Sequence, residues 1–470
     1  MSGKMKGRYR LQMQGEARAR MSGSRNRVPP GPKGLPIFGV ALELRDDPLE
    51  GMRRFAREYG DIVRFQVLMR ERILLNHPDL ISQVLVVQQN KFHKSELTRR
   101  ITGRLLGQGL LISEGDFWRR QRRLAQPAFH RSRINEYAST MTEIAQARLH
   151  DWGDGQERDI AQEMMALTLD IAVRTLFGTT LSADADRVGP AMAFLMRYSV
   201  SRQRGPLRIP ENWPTPKNRR ANREFEFISS LVYRIIAERQ AEKSPHQHND
   251  LLALLMDAMD EDGGQMTPQQ LRDEAMTLFI AGHETTAQML AWTWFALSEN
   301  SAVEARLHEE LHGVLGGRPP EASDFGRLPY LQAFMNEILR LYPPAYITAR
   351  ETIESCELGG YVIPAGKTII FSQWVTHRDP RFYNDPDAFR PERWLDGLAQ
   401  RLPPGAYFPF GDGPRRCIGQ GFALLEAAIV IGIVAQRFRL RLVPGLSVVP
   451  EPLVTLRPQN GIRMTLHARN

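Results

Sequence analysis

The chain has 470 residues, of which 42% are hydrophobic, and carries a formal net charge of +9. Eight Lys and Arg against one Glu in residues 1–27 account for most of this charge, so the rest of the chain is nearly neutral and offers no nucleic-acid-binding surface. The only two cysteines, Cys356 and Cys417, exclude a disulfide framework and are typical of a reducing cytosol.

The N-terminal residues 1–28 are predicted to form a basic, disordered tail, which leaves membrane-surface or nucleic-acid binding by the tail open. Met21-Ser-Gly repeats Met1-Ser-Gly, so either methionine could be the natural start. Residues 29–470 contain no internal linker or repeat and are expected to form one domain. Because no stretch reaches about 18 apolar residues and no secretory signal is visible, we expect a soluble, cytoplasmic protein without a transmembrane anchor.

The chain begins with a short region that contains strands. Pro48 to Tyr59 has helical spacing and ends at Gly60. Asp61–Leu68 and Ile73–Leu75 follow, joined by a charged turn and rich in the β-branched and aromatic residues of strands. We therefore predict a small sheet near the N-terminus.

Helical patterns dominate afterwards. Residues 135–180 and 216–243 have helical periodicity, and the loop Arg202–Lys217 between them holds four prolines. Lys94–Leu111 is rich in Gly and Leu and shows little clear periodicity. The predicted fold class is therefore mainly α with a minor β region.

The stretch Thr267–Asn300 is predicted to be one helix of about thirty residues, long enough to cross the domain. Thr267 is a natural N-cap, and Gln270 completes a capping box with it. Gly282 in the middle costs roughly 1 kcal/mol relative to alanine, and with the Glu-Thr pair that follows His283 it permits a local bulge that holds water. His283 itself is expected on the helix surface.

Two further patterns follow this helix. Ser301 and Glu304 have the spacing of a capping box for the next helix. Glu337 and Arg340 lie three residues apart, and therefore on one face of a predicted helix Pro329–Leu341. The apolar neighbours of this pair predict that it is partly buried.

Cys417 lies in the glycine-rich stretch Phe410–Gly421, and an apolar run that begins at Phe422 predicts a buried helix directly after it. Free N–H groups at a helix N-terminus favour a thiolate, and Arg415 adds a positive charge. Such a thiolate suits the axial position of a haem iron. A buried cysteine in a glycine-rich turn is the alternative interpretation.

The spacing Phe410-x-x-Gly413-x-Arg415-x-Cys417-x-Gly419 resembles the haem-binding signature of the cytochrome P450 family. Further motifs of that family stand in the expected order, namely Trp118-x-x-x-Arg122, Ala281-Gly282-x-Glu284-Thr285 and Glu337-x-x-Arg340. The resemblance runs from about residue 29 to the C-terminus. It implies a P450-like single domain that encloses haem b, and a monooxygenase that inserts one atom of dioxygen into an apolar organic substrate.

The resemblance also implies roles for the matching residues. Cys417 would ligate the iron. Thr285 would organise the hydrogen bond to dioxygen and Glu284 would connect it to bulk solvent, so that the pair delivers protons. A structural network would join Glu337 and Arg340 to Arg393. The other cofactor-binding residues implied are Trp118, Arg122 and Arg350 at the haem propionates, with Arg415, Phe410, Gly419 and Ala281.

Substrate recognition is less constrained by the sequence. Arg202–Lys217 resembles the lid of the family. The candidate pocket residues, whose leucines are equally well explained as core, are Leu105, Leu106, Ile280, Ala345, Ile347 and Val454. The residues of these motifs are most similar to those of fatty-acid-hydroxylating members. Terpenoids, steroids and other secondary metabolites stay open as substrates.

The chain shows no flavin or iron–sulfur motif, so we expect a monomer that receives electrons from a separate ferredoxin or flavodoxin with its reductase. Arg119, Arg120 and Arg123 form either a basic docking patch for an acidic donor or a solvated helix face. A haem-thiolate isomerase, a peroxygenase and a non-enzymatic haem sensor are the alternatives. None of these needs the acid–alcohol pair Glu284–Thr285.

Overall fold

The computed structural model describes residues 27–180, 185–204, 209–242, 250–259 and 264–469. The predicted tail lies outside the described residues except for its last two positions. The described α-helices are, in chain order, α1 (Glu43–Asp46), α2 (Pro48–Tyr59), α3 (Pro78–Ser82), α4 (Glu96–Leu106), α5 (Gly115–Ala125), α6 (Arg131–Arg148), α7 (Ile160–Phe177), α8 (Ala185–Arg204), α9 (Pro216–Ala241), α10 (Leu251–Asp257), α11 (Pro268–Glu299), α12 (Ser301–Leu315), α13 (Pro329–Leu341), α14 (Gln373–Thr376), α15 (Glu392–Leu395), α16 (Leu398–Arg401) and α17 (Gln420–Arg437).

Within the described part of the chain, the strands are short and form four small sheets. They are β1 (Ile62–Val67), β2 (Arg70–Leu75), β3 (Phe92–Lys94), β4 (Glu157–Asp159), β5 (Thr348–Thr352), β6 (Cys356–Leu358), β7 (Tyr361–Ile363), β8 (Thr368–Phe371), β9 (Phe438–Leu442), β10 (Pro450–Pro452), β11 (Leu456–Pro458) and β12 (Arg463–Ala468). The largest sheet has the order β1-β2-β8-β5-β3, with β2 and β8 parallel. The predicted mainly α fold with a minor β region is confirmed.

Local capping signals determine where several helices begin and end. The Asp47 side chain accepts the first N–H groups of α2, which ends at Gly60 in a left-handed conformation (φ 87°). The predicted capping box of α11 is formed, because the Thr267 hydroxyl accepts the Gln270 N–H and the Gln270 side chain accepts the Thr267 N–H. These bounds agree with the sequence prediction.

Helix α11 runs through the centre of the fold. It packs along α7 and also contacts α4, α9, α12, α13, α17, β9 and β11. Its C-terminal half buries Trp292 and Trp294 almost completely. A helix that is covered on nearly every side provides a rigid support for the side chains at its middle.

Three local predictions were wrong. The Lys94–Leu111 stretch contains α4, because the buried Ser95 hydroxyl accepts the Thr98 N–H and caps the helix. Asn300, and not Ser301, is the N-cap of α12, so the expected capping box is not formed. The predicted helical region 135–180 is divided by β4, which pairs with β12.

The C-terminal part completes the core. Strand β12 is the central strand of a three-stranded sheet and pairs with β4 on one side and β9 on the other, and β10 and β11 form a hairpin against α11. Within the described ranges, α17 is the one helix long and apolar enough to cross a membrane, and 67% of it is buried inside the fold.

Candidate active site

Cys417 lies in a tight loop between a 3₁₀ turn, Gly413–Arg415, and helix α17. The Cys417 N–H donates to the Phe410 carbonyl (2.9 Å), which closes the loop. Gly413 has a φ of 65°, and a Cβ at this position would lie 2.1 Å from the Leu85 carbonyl oxygen. Only glycine therefore permits this approach of the loop to the preceding chain.

The Cys417 side chain has accessible surface. Protein atoms nevertheless surround it closely enough that desolvation raises the pKa of its thiol. The Gly419 N–H, Arg122 and Arg416 act in the opposite direction without reversing the shift. The N–H group and the nearby charges thus favour the thiolate, as the sequence predicted, but desolvation outweighs them. A bound metal cation would supply the missing stabilisation, because a coordinating thiol is deprotonated.

Three cations surround one carboxylate beside this loop. Lys94 on β3 is the register partner of Arg350 on β5, and Arg415 donates to the Ser113 carbonyl (2.8 Å) and to Glu114. Burial, together with Arg350 and Arg415, lowers the pKa of Lys94 well below its usual value. Burial, and then Arg415, lowers the pKa of Arg350 to about 10. One carboxylate does not neutralise three basic groups, and further anionic groups at this place would favour their charged forms.

The predicted pair on α5 lies at the same place. Trp118 is covered by Arg415, whose Cζ is 3.9 Å from the centroid of the indole ring. Arg122 donates to the Arg416 carbonyl (2.8 Å) directly before Cys417. The structure thus brings Trp118, Arg122, Arg350 and Arg415 together around the cysteine loop.

Helix α11 has accessible surface at one point of its buried course. Ala281 is exposed and Thr285 is half-buried, whereas the two turns before them are buried. The Thr285 hydroxyl donates to the Ala281 carbonyl (2.9 Å), and α11 is α-helical throughout. The expected bulge is absent, because this side-chain hydrogen bond satisfies the hydroxyl within a regular helix.

Glu284 is buried, and not connected to bulk solvent as expected. Its Oε1 accepts from Arg457 (2.5 Å) and from the Thr455 hydroxyl (2.7 Å), both on the hairpin of β10 and β11. Its Oε2 is buried and has no hydrogen-bond partner. A carboxylate that leaves water needs such partners, and here Arg457 supplies the opposite charge.

His283 is also buried, and not on the helix surface. Its Nδ1 lies 2.6 Å from the Phe279 carbonyl, and its backbone carbonyl accepts from Thr168 on α7. Burial lowers its pKa, which favours the neutral imidazole. His283 therefore belongs to the contact between α7 and α11.

The predicted structural network is formed and almost inaccessible. Arg340 makes two 2.8 Å hydrogen bonds to Glu337, and both side chains are fully buried. Glu337 also accepts from Arg393 (3.0 Å) and Trp394 (2.9 Å). Because Arg340 donates in addition to the His377 carbonyl, this network ties α13 to the segment that leads to the cysteine loop.

The structure separates the candidate pocket residues. Leu106 is 3% exposed and belongs to the main hydrophobic core, and Ile347 packs against core residues near the N-terminal sheet. Leu106 thus has the core position that the sequence offered as the alternative, and its role in the pocket stays a prediction. The candidates with accessible surface are Leu105, Ile280, Ala345, Ile347 and Val454.

Sequence analysis missed Lys94, Glu114 and Arg457. It predicted Thr455, with Val454, in a C-terminal hairpin that could touch substrate, and not as a partner of Glu284. Lys94 and Arg457 contact their partners across more than 170 residues of chain, so no local spacing identifies them. The one available signal for Arg457 and Thr455 was the predicted hairpin, whose alternating side chains place both residues on the face towards α11.

These residues fit a haem. Cys417 offers a single thiolate ligand, the cations Lys94, Arg350 and Arg415 suit two propionate carboxylates, and Trp118 supports one of the cations. The accessible part of α11 lies on an element that packs against α17, the helix directly after Cys417. The site therefore has a ligand, an anion-binding side and an accessible helix face.

Comparisons with known proteins agree with this site. The family model of cytochrome P450 matches residues 29–465. The chain is 37% identical over 433 residues to cyclooctatin synthase of Streptomyces melanosporofaciens, covering 92% of this chain and 94% of that protein. It is 32% identical over 439 residues to pentalenene oxygenase of Streptomyces avermitilis, covering 93% and 97%.

The fold is similar to that of a solved structure, retinoic acid bound cyanobacterial CYP120A1. The TM-score is 0.83 at 27% sequence identity, and the match covers 94% of this chain and 99% of that one. The family implies a thiolate-ligated haem, an apolar substrate, dioxygen and an electron-donor protein. The chain belongs to the cytochrome P450 family and is a haem-thiolate monooxygenase.

Proposed function

We propose that this enzyme oxygenates an apolar terpenoid held against the accessible part of α11. The observation that carries the proposal is the position of Thr285 and Ala281 on an otherwise buried helix. This helix packs against α17, which begins directly after the Cys417 loop. Residues 29–470 form the haem domain in this proposal. The protein acts as a cytoplasmic monomer.

The roles of the protein side chains follow from their contacts. Cys417 holds the iron, and Lys94, Arg350 and Arg415 hold the propionates. When bound, the haem supplies the chemistry that activates dioxygen. Thr285 presents a hydroxyl that can exchange its hydrogen bond with the Ala281 carbonyl for one with a bound molecule. Glu284 is the adjacent acid, and its Oε2 is buried without a hydrogen-bond partner.

The substrate class rests on the relatives and on the pocket. Cyclooctatin synthase and pentalenene oxygenase are named after cyclic terpenoids, and the solved structure contains retinoic acid, an isoprenoid. The accessible candidate residues Leu105, Ile280, Ala345, Ile347 and Val454 are all apolar. This lining favours a hydrocarbon skeleton.

The substrate test measures the haem spin shift of the holoenzyme with pentalenene, retinoic acid and palmitic acid. We expect a saturable shift with pentalenene or retinoic acid that exceeds the shift with palmitic acid. A shift with palmitic acid alone would assign the enzyme to fatty acids and overturn the terpenoid proposal.

The test of Thr285 is the substitution Thr285→Ala, because alanine removes the hydroxyl without disturbing the helix. We expect oxygen consumption to continue while product per electron pair falls. Thr286→Ala is the matched control, since its hydroxyl donates to the Gly282 carbonyl on the same helix. If product per electron pair is the same in Thr285→Ala and Thr286→Ala, Thr285 has no role in the mechanism.

The electron donor is proposed to be a small acidic ferredoxin or flavodoxin that docks on α5. Arg119 and Arg123 are exposed there, whereas Arg120 is bound to the carbonyls of Gly264 and Gln265 and cannot contribute fully. We expect Arg123→Glu to slow reduction of the haem and to weaken its dependence on salt. An unchanged reduction rate would leave α5 as a solvated face.

A further inference from the structure

A cavity of about 310 Å³ lies in the segment between α14 and the cysteine loop. Its volume is at the lower end of the range for small-molecule sites, which is about 300–1,000 Å³. Within the described residues, those that line it come from positions 381–403, and the residues around Cys417 are not among them. The cavity is therefore a candidate site that is separate from the haem site.

The wall of this cavity is basic. Four arginines face a single carboxylate there, and these charged lining residues are Arg381, Arg390, Arg393, Arg401 and Asp396. Three of the arginines pair with carboxylates that lie outside the lining, on Asp61, Asp379, Asp385 and Glu337. The cavity itself thus presents mainly guanidinium groups, which bind carboxylate and phosphate oxygens by pairs of hydrogen bonds.

Two of these arginines are held in place. Arg393 donates to Glu337 (3.0 Å) and to three backbone carbonyls of the same segment. Arg381 lies between two carboxylates, at 2.7 Å from Asp61 and 2.6 Å from Asp379. Since most of their donors are used within the fold, these two side chains form the fixed part of the wall.

The other two arginines retain donors for a ligand. Arg390 pairs with Asp385 at 2.8 Å, but the two side chains are 54% and 69% exposed, so the pair is weak and easily exchanged. In the described part of the chain, Arg401 has no carboxylate partner and donates to the Asp396 carbonyl. Because each guanidinium carries five N–H donors, both side chains can bind an anion in the cavity.

The buried network beside the cavity is short of negative charge. The single carboxylate of Glu337 binds both Arg340 (2.8 Å) and Arg393 (3.0 Å). Burial lowers the pKa of Arg393, Glu337 raises it, and Arg340 and Arg390 lower it further. An anion in the cavity would favour the charged form of Arg393 and would therefore stabilise the network.

The remaining part of the wall is apolar and is formed by Phe382, Leu398, Leu402 and Pro403. The Arg381 Cζ lies 5.5 Å from the centroid of the Phe382 ring, so the charged and the apolar surfaces adjoin. A bare inorganic anion would leave the apolar surface exposed to water, whereas a hydrocarbon substituent would cover it. The wall therefore suits an anionic group that carries a hydrocarbon chain.

We propose that this cavity binds a diphosphate group, with one phosphate at Arg390 and the other at Arg401. Two available guanidinium groups match two phosphate groups, because each can take one phosphate by a pair of hydrogen bonds. The diphosphate is either free pyrophosphate or the head group of an isoprenyl diphosphate, whose chain covers the apolar wall. The bound group ties α16 to the Glu337 network, and the site does not depend on the proposed substrate of the enzyme.

The test measures the binding of pyrophosphate and of geranyl diphosphate to the holoenzyme by titration calorimetry. Mg²⁺ is left out, because it binds phosphate groups itself. We expect saturable binding that is about 10- to 100-fold weaker in Arg401→Gln, the equivalent of losing hydrogen bonds to a charged group. Arg463→Gln is the matched control, because Arg463 forms an exposed pair with Glu157 in another sheet, and its affinity should be unchanged.

The absence of saturable binding for both compounds would overturn the proposal, as would an equal loss of affinity in Arg401→Gln and Arg463→Gln. Tighter binding of geranyl diphosphate than of pyrophosphate would support an isoprenyl diphosphate as the ligand, and equal affinities would support free pyrophosphate. The haem spectrum is recorded in the same titration. A spin shift with geranyl diphosphate would place this compound in the haem pocket and would contradict its binding at Arg401.

Discussion

Arg415 covers Trp118, with its Cζ 3.9 Å from the ring centroid, while its guanidinium donates to the Ser113 carbonyl and to Glu114. The indole face of Trp118 therefore fixes the orientation of the Arg415 guanidinium, which could also bind a haem propionate. A contact of this kind contributes about 0.5–2 kcal/mol. The first prediction follows from it.

Trp118→Leu should accelerate haem loss by about 2- to 30-fold, which is the rate equivalent of that contribution. The measurement is the transfer of haem from the holoenzyme to an excess of apomyoglobin. Trp213→Leu is the control, because Trp213 is 58% exposed and lies before α9. Equal rates for the two variants would contradict the role of the indole.

The glycines of the cysteine loop allow a second, paired prediction. Gly411 and Gly413 both have positive φ, but a Cβ on Gly411 meets no atom within 4 Å, whereas one on Gly413 meets the Leu85 carbonyl oxygen at 2.1 Å. Gly411→Ala should cost about 1–2 kcal/mol of backbone strain and retain the thiolate-type spectrum of the reduced, CO-bound form. Gly413→Ala should lose most of this spectrum. Similar spectra would contradict the close approach.

The third prediction concerns the buried network around Glu337. Glu337→Gln leaves the fully buried Arg340 without a neutralising charge, and breaking such a pair costs about 3–5 kcal/mol. Urea denaturation of the holoenzyme should show this loss. Asp46→Asn, in the exposed pair with Arg45, should leave the midpoint unchanged. A loss of less than about 1 kcal/mol for Glu337→Gln would show that the network is dispensable.

Glu274 supports a prediction about pH. Burial raises the pKa of this carboxyl from an ordinary 4.5 to about 7, the Leu110 N–H lowers it, and Asp273 raises it further. Because the pKa in the folded state lies above that of the unfolded chain, the contribution of Glu274 to stability is fully present below pH 4.5. It is lost as the pH rises through 7.

Glu274→Gln should therefore stabilise the enzyme at pH 8 by up to about 3 kcal/mol and have no such effect at pH 4.5. Thermal denaturation across this pH range measures the difference. Glu309→Gln, on an exposed part of α12, is the control. If the stability difference between Glu274→Gln and the unmodified enzyme is the same at every pH, the raised pKa of Glu274 is contradicted.

Local rules explain what the sequence could predict. The capping box of Thr267, the end of α2 at Gly60 and the i, i+3 pair of Glu337 and Arg340 depend on neighbours within a few residues. The motif around Cys417 predicted the iron ligand for the same reason. Each of these features is determined by spacing alone.

The remaining features depend on contacts between distant parts of the chain. Glu284 was predicted to reach solvent, but Arg457, 173 residues later, is its partner. Lys94 meets Arg350 only because β3 pairs with β5 in the sheet. The pKa of Cys417 depends on how much protein surrounds it, which composition and spacing do not give.

The burial of α11 also has a consequence for how the protein is made. Several of the elements that bury α11, including α17 and β11, lie more than a hundred residues after it in the chain. At ribosomal rates of about 5–20 residues per second, the apolar sides of α11 stay uncovered for on the order of ten seconds during synthesis. The nascent chain is therefore a client for chaperones, and codon changes that slow translation between α11 and α17 should lower the soluble yield without altering the enzyme.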